Sequence, residues 1–350
     1  MAFKKIISIF ILFLIFLRSS QAKIKHSILA TNQSPGKIRF MSDDGKFVYY
    51  QKKNGELLLS SDFKIFTVFK KEKDVHYTLY TTPLKKRVLI EKEKSFQKIF
   101  NIIKSNNIYI TKFGKHETSF ISKGNSPEFH LNEDWISFFD SYKKVITFQN
   151  LSSNKFTLKI KISNKVNPFF LPEKAMLKDS SVVYTDINNK GIQGLIHYNF
   201  SKKKSRIIFK ANNIFQRLEI CENNKFVYLG VFPLNKEEKE SSIYLLKKSD
   251  HFKFPPKIIY KSSSNDIGNI ECNFNKDFIY FIKNFESEDK KESFEIVKLN
   301  LKNTNLIKIT DMKFATNIIT MDKKLLTIKD GDYYLLEGSN SLTSKEFSDK

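Results

Sequence analysis

Apolar and polar positions along this chain fall into a unit that keeps returning. Its clearest copy runs from Phe40-Met41 through Ser42-Asp43-Asp44-Gly45-Lys46 to Phe47-Val48-Tyr49-Tyr50. This reads as an apolar strand, a tight polar turn and a second strand of aromatic and β-branched residues. Related steps recur at Arg87-Val88-Leu89-Ile90, Trp135-Ile136-Ser137-Phe138, Val182-Val183-Tyr184, Phe226-Val227-Tyr228-Leu229, Phe278-Ile279-Tyr280-Phe281 and Leu325-Leu326-Thr327-Ile328. In the first unit a third strand is expected over Glu56 to Ser60, after the hairpin signal Asn54-Gly55. A fourth is expected over Ile65 to Phe69. Later third strands are Val145 to Phe148, Leu195 to Tyr198, Ile243 to Leu246 and Glu295 to Leu299. Later fourth strands are Phe156 to Ile160, Arg206 to Lys210, Lys257 to Lys261 and Leu306 to Ile309. No amphipathic helix of three turns stands out; Ser95 to Ser105 reads as a short helix or a strand.

Successive copies lie 40 to 52 residues apart, and self-similarity at that period marks a β-propeller. The expected fold is therefore all-β: a single seven-bladed β-propeller of four-stranded antiparallel blades. The last unit ends early. Tyr333-Tyr334-Leu335-Leu336 supplies a third strand, but the tail from Ser339 to Lys350 is polar and is expected to be disordered. The apolar segment Ile24 to Thr31 has the character of the missing strand. Pairing it into the last blade would close the ring and remove an exposed edge.

The first residues read as a targeting segment. Lys4 and Lys5 precede the apolar run Ile6 to Leu17, and Ser20-Gln21-Ala22 offers small residues for signal-peptidase cleavage. The expected division is a signal peptide over residues 1–22, the propeller over 23–338 and the tail over 339–350. The mature chain is then periplasmic or secreted.

Charge adds a partner class. The formal net charge is +23, and only five of the cations are arginine. Bidentate reading of phosphates and bases favours arginine, so no specific nucleic acid is expected. Lysine excess instead gives attraction to an anionic surface. Cys221 and Cys272 sit one residue out of phase relative to Phe226 and Phe278. Side chains on alternate strand positions point to opposite faces, so the pair is expected to remain unbonded.

No metal, cofactor or nucleophile motif emerges. The six histidines are scattered, and there is no HExxH, nucleophile elbow or Gly-rich phosphate loop. No cofactor and no catalytic residue is assigned, and the metal question stays open. One constellation merits testing. Glu128, Glu219 and Glu271 each stand seven residues before Trp135, Phe226 and Phe278. Equal offsets place them together on first strands lining a central channel, where they would bind a cation or a basic peptide, or else pair with lysines between blades.

Ser42-Asp43-Asp44-Gly45-Lys46-Phe47-Val48-Tyr49-Tyr50 resembles the WD40-like propeller repeat of the TolB family. Ser126-Pro127-Glu128-Phe129 before Trp135 looks like a second copy, and Asn167-Pro168-Phe169 opens a third. TolB itself places an α/β domain before a six-bladed propeller, whereas this chain is expected to have no room for that domain and to carry seven units. The resemblance implies a periplasmic interaction platform. The expected function is thus an exported, monomeric, non-catalytic propeller binding an envelope protein or peptide. The alternatives are a channel-sited metal-dependent hydrolase or lyase of a small molecule, and a binder of anionic glycan or lipid.

Overall fold

The computed structural model describes residues 37–337 apart from 42–46, 62–63, 81–85, 95–105, 131–132, 154–155, 164–169, 178–180, 223–224, 235–239, 249–255, 264–265, 273–276, 287–291, 311–316, 322–323 and 330–331. The leader, the strand expected at 24–31, the segment 95–105 and the tail lie outside the described residues. The described chain is all-β.

The first sheet is β1 (Lys37–Met41), β2 (Phe47–Gln51), β3 (Leu57–Ser61) and β4 (Lys64–Phe69), in that order. Next come β5 (Val75–Tyr80), β6 (Arg87–Lys94), β7 (Asn106–Lys112) and the twelve-residue β8 (Ser119–His130). Strand β8 pairs with β7 through Ser119 to Gly124 and with β9 (Trp135–Asp140) through Asn125 to His130. It thereby joins the second group to β9, β10 (Val145–Asn150) and β11 (Thr157–Lys161) in one seven-stranded sheet. Three four-stranded sheets follow. They are β12 (Lys174–Met176), β13 (Ser181–Ile187), β14 (Gln193–Asn199) and β15 (Lys204–Lys210); β16 (Gln216–Glu222), β17 (Phe226–Pro233), β18 (Ser241–Lys247) and β19 (Lys257–Ser262); and β20 (Asp266–Glu271), β21 (Phe278–Glu286), β22 (Glu292–Asn300) and β23 (Leu306–Thr310). The last sheet has three strands, β24 (Asn317–Met321), β25 (Lys324–Lys329) and β26 (Asp332–Glu337). Neighbours within every sheet are antiparallel and follow chain order, as short hairpin connections dictate.

The packing explains the composition of the second strands. Each large core cluster is shared between two consecutive groups. Tyr49, Leu57 and Leu59 meet Tyr77, Val88 and Ile90; Phe139, Ile146 and Phe148 meet Met176, Val182 and Tyr184; Val183 and Leu195 meet Leu218, Leu229 and Leu246. Leu89 and Ile108 meet Ile136 and Phe138 from the opposite side. A sheet covered on both faces needs apolar residues at every position instead of alternate ones. Runs such as Val88-Leu89-Ile90 are the result, all three fully buried.

A second regularity lies on the fourth strands. Pairing of the third strand with the fourth slips by one residue at Val68, Ile121, Ile208 and Ile259. An added residue of this kind bends and twists a strand. The hairpin signal behaves as its sequence requires. Gly55 takes a φ of 82°, and its N–H donates to Lys52 O at 2.9 Å. A Cβ there would strike the Glu72 carbonyl.

The cysteines overturn the sequence expectation. Cys221 and Cys272 form a disulfide with a Cα–Cα distance of 6.0 Å. The odd offset behind that expectation is present: Cys221 lies opposite Tyr228, while Glu271, one residue before Cys272, lies opposite Tyr280. The inference from it was inverted. Where two successive sheets stack in the same orientation, the upper face of one meets the lower face of the next. Side chains that meet across the junction must therefore point from opposite faces of equivalent strands. An odd offset is what brings the two sulfurs together.

Candidate functional site

The first strands of successive groups lie against one another: β1 with β5, β5 with β8, β12 with β16, β16 with β20, and β20 with β24. Along this line charged side chains cross from one group to the next. Lys174 on β12 is buried, and its Nζ donates to Glu128 Oε1 at 2.6 Å and to Ser126 O at 2.7 Å. An ammonium this deep needs both partners, since removing one leaves an uncompensated charge. Beside it, Glu173 reaches the next group and accepts the Ile220 N–H. Glu219 repeats the move one group later, accepting the Ile270 N–H at 3.2 Å while Arg217 Nη2 lies 3.0 Å away. Carboxylates here satisfy backbone donors on the free side of neighbouring first strands.

Close approach makes one glycine necessary. Gly268 has a φ of +97°, and a Cβ there would stand 2.7 Å from Arg217 Nη2 and 2.8 Å from Glu219 Oε1. Burial, joined by the charges of Glu128 and Glu219, pushes the Glu173 carboxyl up to about 8, against the opposing pull of Lys174 and the Ile220 N–H.

The three glutamates expected at one level fall as follows. Glu128 lies opposite Ser137 and Glu271 opposite Tyr280, each two residues past its anchor. Glu219 lies opposite Gly230, four residues past Phe226. The cause is where the hairpin falls: Glu222 pairs with Val227 and His130 with Trp135, both five positions apart, but the first pair closes one residue past its anchor and the second at its anchor, which moves the register by two. A shift of two keeps the side chain on the same face. Glu128 and Glu219 both act on Glu173, whereas the Glu271 carboxylate accepts the adjacent Cys272 N–H at 3.1 Å. Glu173 and Lys174 were not singled out in the sequence. The available signal was a lysine entering the apolar run Ala175-Met176-Leu177.

A second cluster has the atom order of a catalytic triad. His130 Nε2 lies 2.7 Å from Ser137 Oγ, and its Nδ1 lies 3.1 Å from Glu222 Oε1. Lys248 Nζ donates to Glu222 Oε2 at 2.7 Å. Burial pushes the Glu222 carboxyl up, but His130 and Lys248 together outweigh it and hold it below the usual carboxylate range. Ser137 is fully buried and His130 nearly so, so no substrate carbonyl reaches the hydroxyl. The cluster ties the end of β8 to the end of β16. The intervening first strand, β12, has only three residues. Among the described residues, no set of three or more His, Cys, Asp or Glu is placed to hold a metal ion. No helix there is long and apolar enough to cross a membrane.

No family model matches the sequence, and no curated protein matches it. Solved structures do match. The β-propeller domain of Cps50 (Swd1) from Myceliophteria thermophila aligns over 87% of this chain and 98% of its own, at 8% identity and a TM-score of 0.54. A prolyl endopeptidase aligns over 90% of this chain at 10% identity and a TM-score of 0.55. This chain spans 54% of that enzyme's length. TolB from Acinetobacter baumannii aligns over 73% of this chain and 59% of its own, at 12% identity and a TM-score of 0.46. At these identities the matches speak to fold: the chain has propeller-type neighbours, some of them enzymes.

Proposed function

We propose that this chain is an exported, non-catalytic, seven-bladed propeller that serves as a protein- or peptide-binding platform in a bacterial envelope. One observation carries the reading: successive small sheets are stacked face to face and cross-bonded along their first strands, and a β-propeller domain superposes on them over nearly its whole length. Counting β8 as the last strand of one blade and the first of the next gives seven units.

Closure of the ring has its own support. Val48, Tyr50 and Leu58 are buried on the face of the first sheet that does not meet the second. Something covers that face, and β1 lies against β26. The last sheet has three strands, and residues 32–36 can span roughly 17 Å between β1 and a paired strand at 24–31. The export reading rests on the leader sequence, and the disulfide fits an oxidising compartment.

A platform role agrees with how the inner charges are used. They hold strands to each other, which makes the body rigid and leaves recognition to the loops and the channel surface. Glu128, Glu219 and Glu271 would give that surface an acidic lining suited to a basic segment of a partner.

The test uses the mature chain, immobilised and exposed to envelope extract, followed by reconstitution with the purified captured protein. The expected result is a stable one-to-one complex whose components keep their masses. Glu219→Gln with Glu271→Gln should weaken it about tenfold, as for loss of charge-assisted contacts. Chemical conversion of the captured molecule would replace this reading with the enzyme alternative. An unweakened complex would move the site out of the channel.

A further inference from the structure

Among the described residues, Phe156 and Leu306 are exposed at the end where third strands turn into fourth strands, and a larger set is exposed at the other end. Tyr142, Leu171, Ile214, Phe215 and Leu234 all stand where second strands turn into third strands or where one group passes to the next. In antiparallel sheets of this order, those two kinds of connection share one end. Direct contacts confirm the continuity. The Ile162 N–H donates to Lys144 O at 3.0 Å beside Tyr142. Ser163 donates to Asp186 through both its N–H, at 2.8 Å, and its hydroxyl, at 2.6 Å. Gly191, in the β13–β14 turn, abuts Ile214, whose Cγ2 is 3.0 Å from where a Cβ on Gly191 would stand. The Leu234 N–H donates to Phe215 O at 2.6 Å.

The centre of this surface is held in place. The Phe215 N–H donates to Asn213 Oδ1 at 2.8 Å, and the Asn212 N–H donates to Gln216 Oε1 at 2.9 Å. Ile214, Phe215 and Leu234 stay 47%, 46% and 54% exposed although their backbones are fixed. Three such residues side by side are a patch that calls for a covering partner.

Charge selects the partner. Lys190 precedes Gly191, and Lys210 stands four residues before Ile214; both are exposed. Neither has an ion-pair partner among the described residues. Across the patch, Glu240 pairs with Lys261 at 3.4 Å. Among the described residues the local balance is thus positive, on a chain of net charge +23. Lysine serves as a point charge, suited to diffuse anionic headgroups more than to bidentate recognition. Apolar tips on separate loops, divided by Asn188, Asn189, Asn212 and Asn213 and flanked by lysine, match shallow insertion at a lipid interface.

We propose that this end of the molecule docks on an anionic lipid surface, with Ile214, Phe215 and Leu234 entering the headgroup layer and Lys190 and Lys210 contacting its charge. The proposal concerns an end surface, not the channel, and stands independently of the platform reading.

Co-sedimentation of the mature chain with vesicles of phosphatidylglycerol and phosphatidylcholine in equal parts tests it, against phosphatidylcholine alone. Binding is expected only to the anionic vesicles and should weaken steeply with added salt. Phe215→Ser with Leu234→Ser should lower it at least tenfold. Lys190→Gln and Lys210→Gln should each lower it about fivefold. Ile258→Ser, on the equally exposed outer strand β19, should leave it unchanged and serves as the control for lost surface hydrophobicity. Equal binding to both vesicle types, absence of binding, or equal effects of the Phe215/Leu234 and Ile258 variants would each overturn the proposal. Binding to soluble polyglutamate that the patch variants abolish, without vesicle binding, would assign the surface to an acidic protein instead.

Discussion

The junction between the β16–β19 and β20–β23 sheets and the junction between the last sheet and the first are built on different principles. The former is fastened three ways. A disulfide joins Cys221 to Cys272; Glu219, braced by Arg217, takes the Ile270 N–H; and Tyr228, Phe232, Ile279 and Phe281 share a core. The latter brings β1 against β26 beside a sheet of three strands. If the stack closes into a ring, the fastened junction resists opening by covalent and charged links. The seam would then depend on the strand proposed to complete it. Both must hold, because a toroid opens at its weakest joint.

Deleting residues 24–31 attacks the seam and should produce the largest effect. Burying Ile28 and Leu29 is worth about 1.5–3 kcal/mol each, so the loss should reach roughly 5 kcal/mol and leave an edge prone to aggregation. Denaturant titration of the deleted and full mature chains measures it. Unchanged melting would mean the seam closes without that segment.

Converting Cys221 and Cys272 together to serine attacks the fastened junction. A cross-link closing a loop of 51 residues contributes roughly 2–4 kcal/mol. The double variant should melt lower by that amount, and the parent should fail to react with thiol reagents after unfolding without reductant. Labelling of both thiols would return the chain to two free cysteines.

Gly268→Ala sharpens the comparison without breaking a covalent bond. The new methyl group would take a φ disfavoured for any other residue and would displace the Arg217–Glu219 pair. A cost of about 2 kcal/mol is expected, read as a lower melting temperature. If the alanine is tolerated, Glu219 is not held against β20 as tightly as described.

What the sequence disclosed and what it withheld follow from the same geometry. Both faces of each sheet are covered, so second strands such as Val182-Val183-Tyr184 are apolar throughout and easy to find. The hairpins follow from local turn chemistry, as at Asn54-Gly55. Pairing between groups was another matter. It depends on which face meets which, and the disulfide was misjudged because facing within one strand was taken for facing across a junction. The same blindness hid Glu173 and Lys174: their roles come from Ile220 and Glu128, 47 and 46 positions away in sequence. Nor could equal offsets reveal that the β16–β17 hairpin closes one residue past its anchor and so carries Glu219 two places along its strand.

The most discriminating comparison for the inner charges is one that changes with pH. Glu173 keeps its proton in the folded chain up to about pH 8, above the ordinary value of 4.5. Between those values the folded state binds a proton that the unfolded state has released. Stability contributed by the protonated form is therefore complete below the unfolded value and is lost as pH rises through the folded one. Glu173→Gln keeps a neutral acceptor for the Ile220 N–H and adds a donor toward Glu128 and Glu219. The variant should match the parent near pH 5 and melt higher than it near pH 8, with the gap widening steadily between. A variant that melts lower at pH 8 would mean Glu173 is ionised and serves Lys174 as a second counterion. The first strands would then be held by a paired charge at this joint, as they are at Glu219, instead of by a neutral carboxyl.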